Sequence, residues 1–213
     1  MPLLIIAGRL QEADQWLTEA ATIRARIGDY STHQNGNINA RVQWLIASGR
    51  AAEAPPLLKE FRVKPATGNS VSVTQLQRAI LQARVDLASG KSGAVHAGLR
   101  EVRTAVEGSH LQSYLRTYEA DATLLEGRAH LAEGDAAAAL PLLQQSHQLY
   151  GDLYDERSLL TADAKVALAQ CLLALGKRDE ARTLAQQAAA IQGTHRDVGE
   201  HLRAPLRALQ QAL

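Results

Sequence analysis

Cysteine is nearly absent from this chain. Cys171 is the only one among 213 residues. No internal disulfide can form, and a cytoplasmic setting is the expectation. Proline is scarce, at six residues, and aromatic residues make up 4%. With β-branched residues also thin, a sheet has little to build on. Charge of one sign is missing too: the net charge is +1. That gives no bias toward nucleic acid, a membrane surface or an acidic substrate. No run reaches the ~18 apolar residues of a membrane span. The opening Leu3-Leu4-Ile5-Ile6 is short, lacks a basic leader and soon meets Arg9 and Glu12, so it makes a poor signal peptide.

What remains is Ala, Leu, Gln, Arg and Glu, a composition that favours helix. The helices are punctuated by glycine at a regular interval. Gly8, Gly49, Gly90, Gly134 and Gly176 stand 41, 41, 44 and 42 residues apart. A period in this range marks a solenoid of stacked units. Fixed offsets from each glycine carry fixed residue types. Three before stand Ile5, Ile46, Leu87, Leu131 and Leu173. Seven before stand Val42, Ala83, Gly127 and Ala169. Five after stand Ala13, Ala54, Val95, Ala139 and Ala181, and nine after stand Leu17, Leu58, Leu99, Leu143 and Ala185. Each set lies on one face of a helix, so each unit is a pair of helices with facing apolar stripes. Small residues let the two backbones approach, and the glycine supplies a turn that needs φ > 0.

This pattern resembles the tetratricopeptide repeat. The resemblance rests on Gly-Arg-Leu-Gln-Glu-Ala13, Gly-Arg-Ala-Ala-Glu-Ala54, Gly-Asp-Ala-Ala-Ala-Ala139 and Gly-Lys-Arg-Asp-Glu-Ala181. The period exceeds the common 34 and is similar to a longer variant found in bacterial signalling proteins. Pro56 and Pro141, each before Leu-Leu, are similar to bacterial versions as well. The resemblance implies an all-α, right-handed superhelix of about five hairpins. Their expected bounds are about 1–27, 38–61, 73–106, 111–149 and 158–191, followed by a cap helix at 195–213. Residues 28–37 and 64–72 are expected as linkers, and Gly151-Asp152 as the break after the fourth hairpin. Pro205 should kink the cap helix. Gly93 and Gly98 should weaken the second helix of the third hairpin. The N-terminus opens mid-repeat, so its apolar end is expected either to dock on something, by self-association or on missing repeats, or to pack locally.

The same resemblance implies a concave groove lined by the first helix of each pair. Gln43, Arg84, Arg128 and Gln170, six before their glycines, should face it, flanked by Gln77 and Asp121, thirteen before. Such a row can hydrogen-bond an extended peptide, and the two arginines can hold a carboxylate or phosphate; the alternative is a solvated surface. Ten before the glycines stand Asn39, Ile80, Leu124 and Val166, which lack the Lys of a chaperone-tail clamp. Tyr114 with Tyr118, and Tyr150 with Tyr154, are spaced by four. They serve either as an aromatic contact surface or as packing between repeats.

No phosphate loop or nucleophile elbow is visible. The histidines offer only two metal-like pairings, Glu126 with His130 and His195-Arg-Asp197 with His201, and neither reaches three ligands. No cofactor or metal is expected, and Cys171 reads as a small core residue. The expected function is a non-catalytic protein-interaction scaffold, part of a larger bacterial regulator or serine/threonine kinase. The alternative is the ligand-sensing domain of a bacterial transcription activator.

Overall fold

The computed structural model describes residues 2–27, 34–65, 72–107 and 115–213. Its described elements are helical throughout. They run α1 (Pro2–Ile6), α2 (Leu10–Ile27), α3 (Gln34–Ala47), a 3-10 turn (Ala51–Glu53), α4 (Pro55–Glu60), α5 (Val73–Ala88), α6 (Ser92–Glu107), α7 (Leu115–Ala132), α8 (Ala136–Leu153), α9 (Leu159–Ala174), α10 (Arg178–Thr194) and α11 (Glu200–Ala212).

The five repeat glycines make the same turn. Each has positive φ, between 71° and 83°. The residue after each glycine donates its N–H to the carbonyl five positions back: Arg9 to Leu4, Arg50 to Leu45, Lys91 to Asp86, Asp135 to His130 and Lys177 to Leu172. The glycine N–H itself bonds the carbonyl three back. This is the Schellman closure of a helix, and only a residue without Cβ adopts it freely. Past the turn the chain reverses, and α2, the α4 segment, α6, α8 and α10 fold back on the helices before them.

The five positions that close each hairpin, Ala13, Ala54, Val95, Ala139 and Ala181, are all 0% exposed. A larger side chain there would drive the helices apart. Leu58, Leu99 and Leu143 fill the next layer and are also fully buried. Hairpin then packs on hairpin in sequence: α2 on α3, α3 and α4 on α5, α6 on α7, α8 on α9, and α10 on α11. The core is correspondingly segmented. One cluster joins the first two hairpins to Leu81 and Val85 of α5, a second joins α5, α6 and α7, and a third runs from α7 to α11. The chain is an all-α, tetratricopeptide-like solenoid.

Several boundaries depart from the sequence expectations. α3 begins at Gln34, within the stretch expected as linker. Asn35 explains this: its side chain accepts from the Arg62 N–H (2.9 Å) and donates to the Arg62 carbonyl (2.7 Å), pinning the first turn to the far end of the hairpin. The second helix of that hairpin is broken as its prolines dictate. A 3-10 turn comes first, and the helix proper starts with Pro55 at its N1 position. α6 runs unbroken through Gly93 and Gly98, because Val95, Leu99 and Val102 are fully buried on its other face. α8 continues through Gly151 and Asp152 to Leu153, where a break was expected. Tyr150 is buried at that end, and Arg116 holds Asp152 at 3.0 Å.

α11 covers the last hairpin with Leu206 and Leu209 buried. The segment before it, with Val198 buried, crosses to the other end of the chain. The Gly199 N–H donates to the Ile6 carbonyl at 2.7 Å. The apolar N-terminal run is thus divided: Ile5 is buried, Leu4 and Ile6 are half-buried, and Leu3 stays 78% exposed.

Candidate functional site

Residues six before a repeat glycine directly follow the buried position seven before it, so they sit about 100° further round the first helix. In α5 and α7 that residue is arginine. Arg84 extends from α5 to α7 and meets Asp121 Oδ1 with its Nη2 at 2.9 Å. Arg128 extends from α7 to α9 and meets Asp163 Oδ1 with its Nη2 at 2.6 Å; the same nitrogen reaches the Asp163 carbonyl at 3.4 Å. Asp121 and Asp163 both stand thirteen before their glycines. The arginine of one repeat therefore pairs with the aspartate of the next, twice in succession.

The two pairs differ in setting. Arg84 is about a third exposed and Asp121 18%. Beneath them the Tyr150 hydroxyl donates to Asp121 Oδ1, so one carboxylate joins α5, α7 and α8. Burial first, and then the Asp121 charge, push the Tyr150 phenol far above its usual range, so it stays a donor. The Asp121 charge likewise raises Arg84 above its already high value. Arg128 and Asp163 are each about a quarter exposed.

The remaining polar positions are not drawn into this row. Gln43 donates from Nε2 to Asn39 Oδ1 within α3 (2.8 Å). Gln77 is exposed on α5, and Gln170 is half-buried on α9. Tyr150 and Tyr154 stack, with ring centroids 5.7 Å apart and planes 26° from parallel. Tyr150 is 1% exposed, so its face belongs to the core and not to a contact surface. Tyr118 is partly buried against the α5–α7 cluster. Tyr114 lies outside the described residues. His195 sits by the Arg157 carbonyl, with Nε2 at 2.8 Å. The Cys171 thiol is buried, 3.2 Å from the Ala136 carbonyl, and burial raises its pKa.

Two features escaped the sequence reading. Asp163 occupies the same offset as Asp121, so the repeat register itself could have found it. The second is a cluster in the first two hairpins. Arg41 binds Asp14, and its guanidinium lies 4.7 Å from the centre of the Trp44 ring, whose other neighbour is Arg50 at 5.2 Å. The Trp44 indole N–H donates to the Leu10 carbonyl at 2.8 Å. The contacts to Asp14 and Leu10 span 27 and 34 residues, and no local spacing signals them.

Residues 118–193, from within α7 to the end of α10, match the tetratricopeptide repeat family. Neither the curated proteins nor the solved structures compared with the chain give a match. The family match covers the fourth and fifth hairpins, and the same glycine turn closes all five. Residues 118–193 are thus similar to tetratricopeptide repeats, and the first three hairpins share their glycine turn.

Proposed function

We propose that the chain is a non-catalytic scaffold that holds a protein or peptide partner in the groove along its first helices, as the repeat module of a larger bacterial signalling or regulatory protein. The observation that carries this reading is the register of Arg84 and Arg128. They stand one repeat apart, each fixed from behind by an aspartate and each partly open to solvent. The described pairs use Nη2 of each guanidinium. An arginine has five N–H donors in a planar fork, so donors remain for a partner's carbonyls or carboxylates. Preorganisation by Asp121 and Asp163 lowers the entropy lost on binding.

The surface also suits a macromolecular contact better than an enclosed metabolite. Of its depressions, one of about 330 Å3 is lined by charged and polar side chains, and one of about 390 Å3 by charged and apolar side chains in equal number. Small-molecule sites are mostly apolar. No described helix is long and apolar enough to cross a membrane. The buried single cysteine fits a reducing cytoplasm.

The test is affinity capture with the wild-type chain and with Arg84→Glu plus Arg128→Glu, folding being checked by circular dichroism. The exchange Arg128→Asp with Asp163→Arg serves as a control that keeps the internal pair. The reading expects a captured protein to be lost with the double reversal. Equal capture by a folded double variant would remove the groove assignment.

A further inference from the structure

Packing of α6 on α7 brings together groups that the sequence holds 30 residues apart. Glu126 and His130, one turn apart on α7, share a face. His96 comes to that face from α6. The His96 and His130 ring centroids are 4.3 Å apart, at 47°. One ring nitrogen from each histidine and one carboxylate oxygen of Glu126 all lie within 4.8 Å of one another. Glu133, in the turn after α7, approaches the same histidine: its Oε2 is 3.2 Å from His96 Nε2. On the other side of the ring, His96 Nδ1 is 3.8 Å from Glu126 Oε1.

Glu126 is the telling member. It is a carboxylate on the buried face of α7, with its side chain only 8% exposed. Oε1 accepts from Arg103 Nη1 at 2.7 Å. Oε2 is buried, with no hydrogen-bond partner among the described residues. A buried carboxylate oxygen without a donor is costly to keep unless something else satisfies it.

We propose that His96, Glu126 and His130 bind a divalent transition ion of the zinc class, with water in the fourth place and Glu133 holding the far nitrogen of His96 from outside the shell. Two imidazoles and one carboxylate, completed by water, suit such an ion, which accepts nitrogen and oxygen in a tetrahedral shell. Arg103 holds the second oxygen of Glu126, as outer partners of metal-bound carboxylates do. Ligands about 2.1 Å from a tetrahedral ion stand roughly 3.4 Å apart, so the side chains close by about an ångström on binding. A depression lined by His96, Arg100, Arg103, Thr104 and Glu126 gives the ion its way in. The ion would tie α6 to α7 and so brace the third hairpin against the fourth. The competing account is a plain ion-pair network in which His96 bridges the two glutamates.

The experiment uses the full chain, free of any histidine tag and stripped with a chelator. Co2+ is titrated while visible absorption is followed, and Zn2+ is then added in competition. The proposal expects one equivalent of Co2+ to give the absorption of a four-coordinate site, and Zn2+ to abolish it and raise the melting temperature. His96→Asn and His130→Gln should each weaken Zn2+ binding at least tenfold. Glu133→Gln, at an exposed position, should weaken it as well and guards against misfolding of the others. No Co2+ absorption and no Zn2+ thermal shift would overturn the proposal. So would one-equivalent binding that persists unchanged in the folded variants, which would place the ion elsewhere.

Discussion

Gly127 faces Leu143 across the fourth hairpin, and the pair offers a test of how tightly the helices are meshed. A Cβ built on Gly127 would lie 2.7 Å from both Cγ and Cδ2 of Leu143, and 3.4 Å from Cβ of Leu142. Carbon atoms in comfortable contact stand about 3.5–4.0 Å apart. Leu143 is fully buried and has nowhere to retreat. Gly127→Ala therefore sets two effects against each other. Alanine favours the helix by about 1 kcal/mol over glycine. Overpacking costs about 1–3 kcal/mol, and two clashes into the middle of a buried side chain belong at the upper end. The expected result is a net loss of about 1–2 kcal/mol. Leu143→Ala alone should cost about 2–5 kcal/mol. In that background the clash is gone, the new methyl fills part of the cavity, and Gly127→Ala should stabilise by about 1 kcal/mol. Urea unfolding followed by circular dichroism measures all four proteins. A Gly127→Ala change that stabilises both backgrounds equally would refute the packing argument.

Two further outcomes follow from single positions. Gly8 and Gly49 have similar positive φ, 75° and 71°, but differ in surroundings. At Gly49 a Cβ meets open space, so Gly49→Ala should cost only the backbone strain of about 1–2 kcal/mol. At Gly8 it would come 2.7 Å from Gly199 Cα, so Gly8→Ala should cost distinctly more and loosen the segment before α11; equal melting temperatures would argue against the contact between the two ends. The His147 pKa is lowered, chiefly by burial and then by Lys165, and its buried Nδ1 has no hydrogen-bond partner among the described residues. A histidine depressed in the folded state binds protons more readily when unfolded. Its contribution is therefore complete above about pH 6.5 and is lost as pH falls below that value, and His147→Gln should flatten this part of a thermal-stability profile.

The hairpins were legible because glycine does one thing here that no other residue does as cheaply. Five glycines in positive φ, each followed five residues later by a fully buried Ala or Val, write the turn and the closest helix approach directly into the sequence. Helix ends were less legible. Gln34 to Asn37 became helical because Asn35 is anchored by Arg62, a contact made across 27 residues. α8 outran Gly151 because burial of Tyr150 outweighs a local breaker. The polar row was half legible. The offset of Arg84 and Arg128 was visible, but the direction in which each side chain reaches was not. That direction depends on the next repeat, which places Asp121 and Asp163 within reach. His96 joined Glu126 and His130 for the same reason: only the packing of α6 on α7 sets their spacing.

The central structural claim is that successive repeats stack in one register, first helix beside first helix. A double-mutant cycle on Arg84 and Asp121 tests it most directly, because these residues belong to different repeats and meet only through that stacking. With Arg84→Ala, Asp121→Ala and the double variant compared by urea unfolding, the partly buried pair should show a coupling of about 1–2 kcal/mol. Strictly additive losses, with no coupling, would contradict the register on which the account depends.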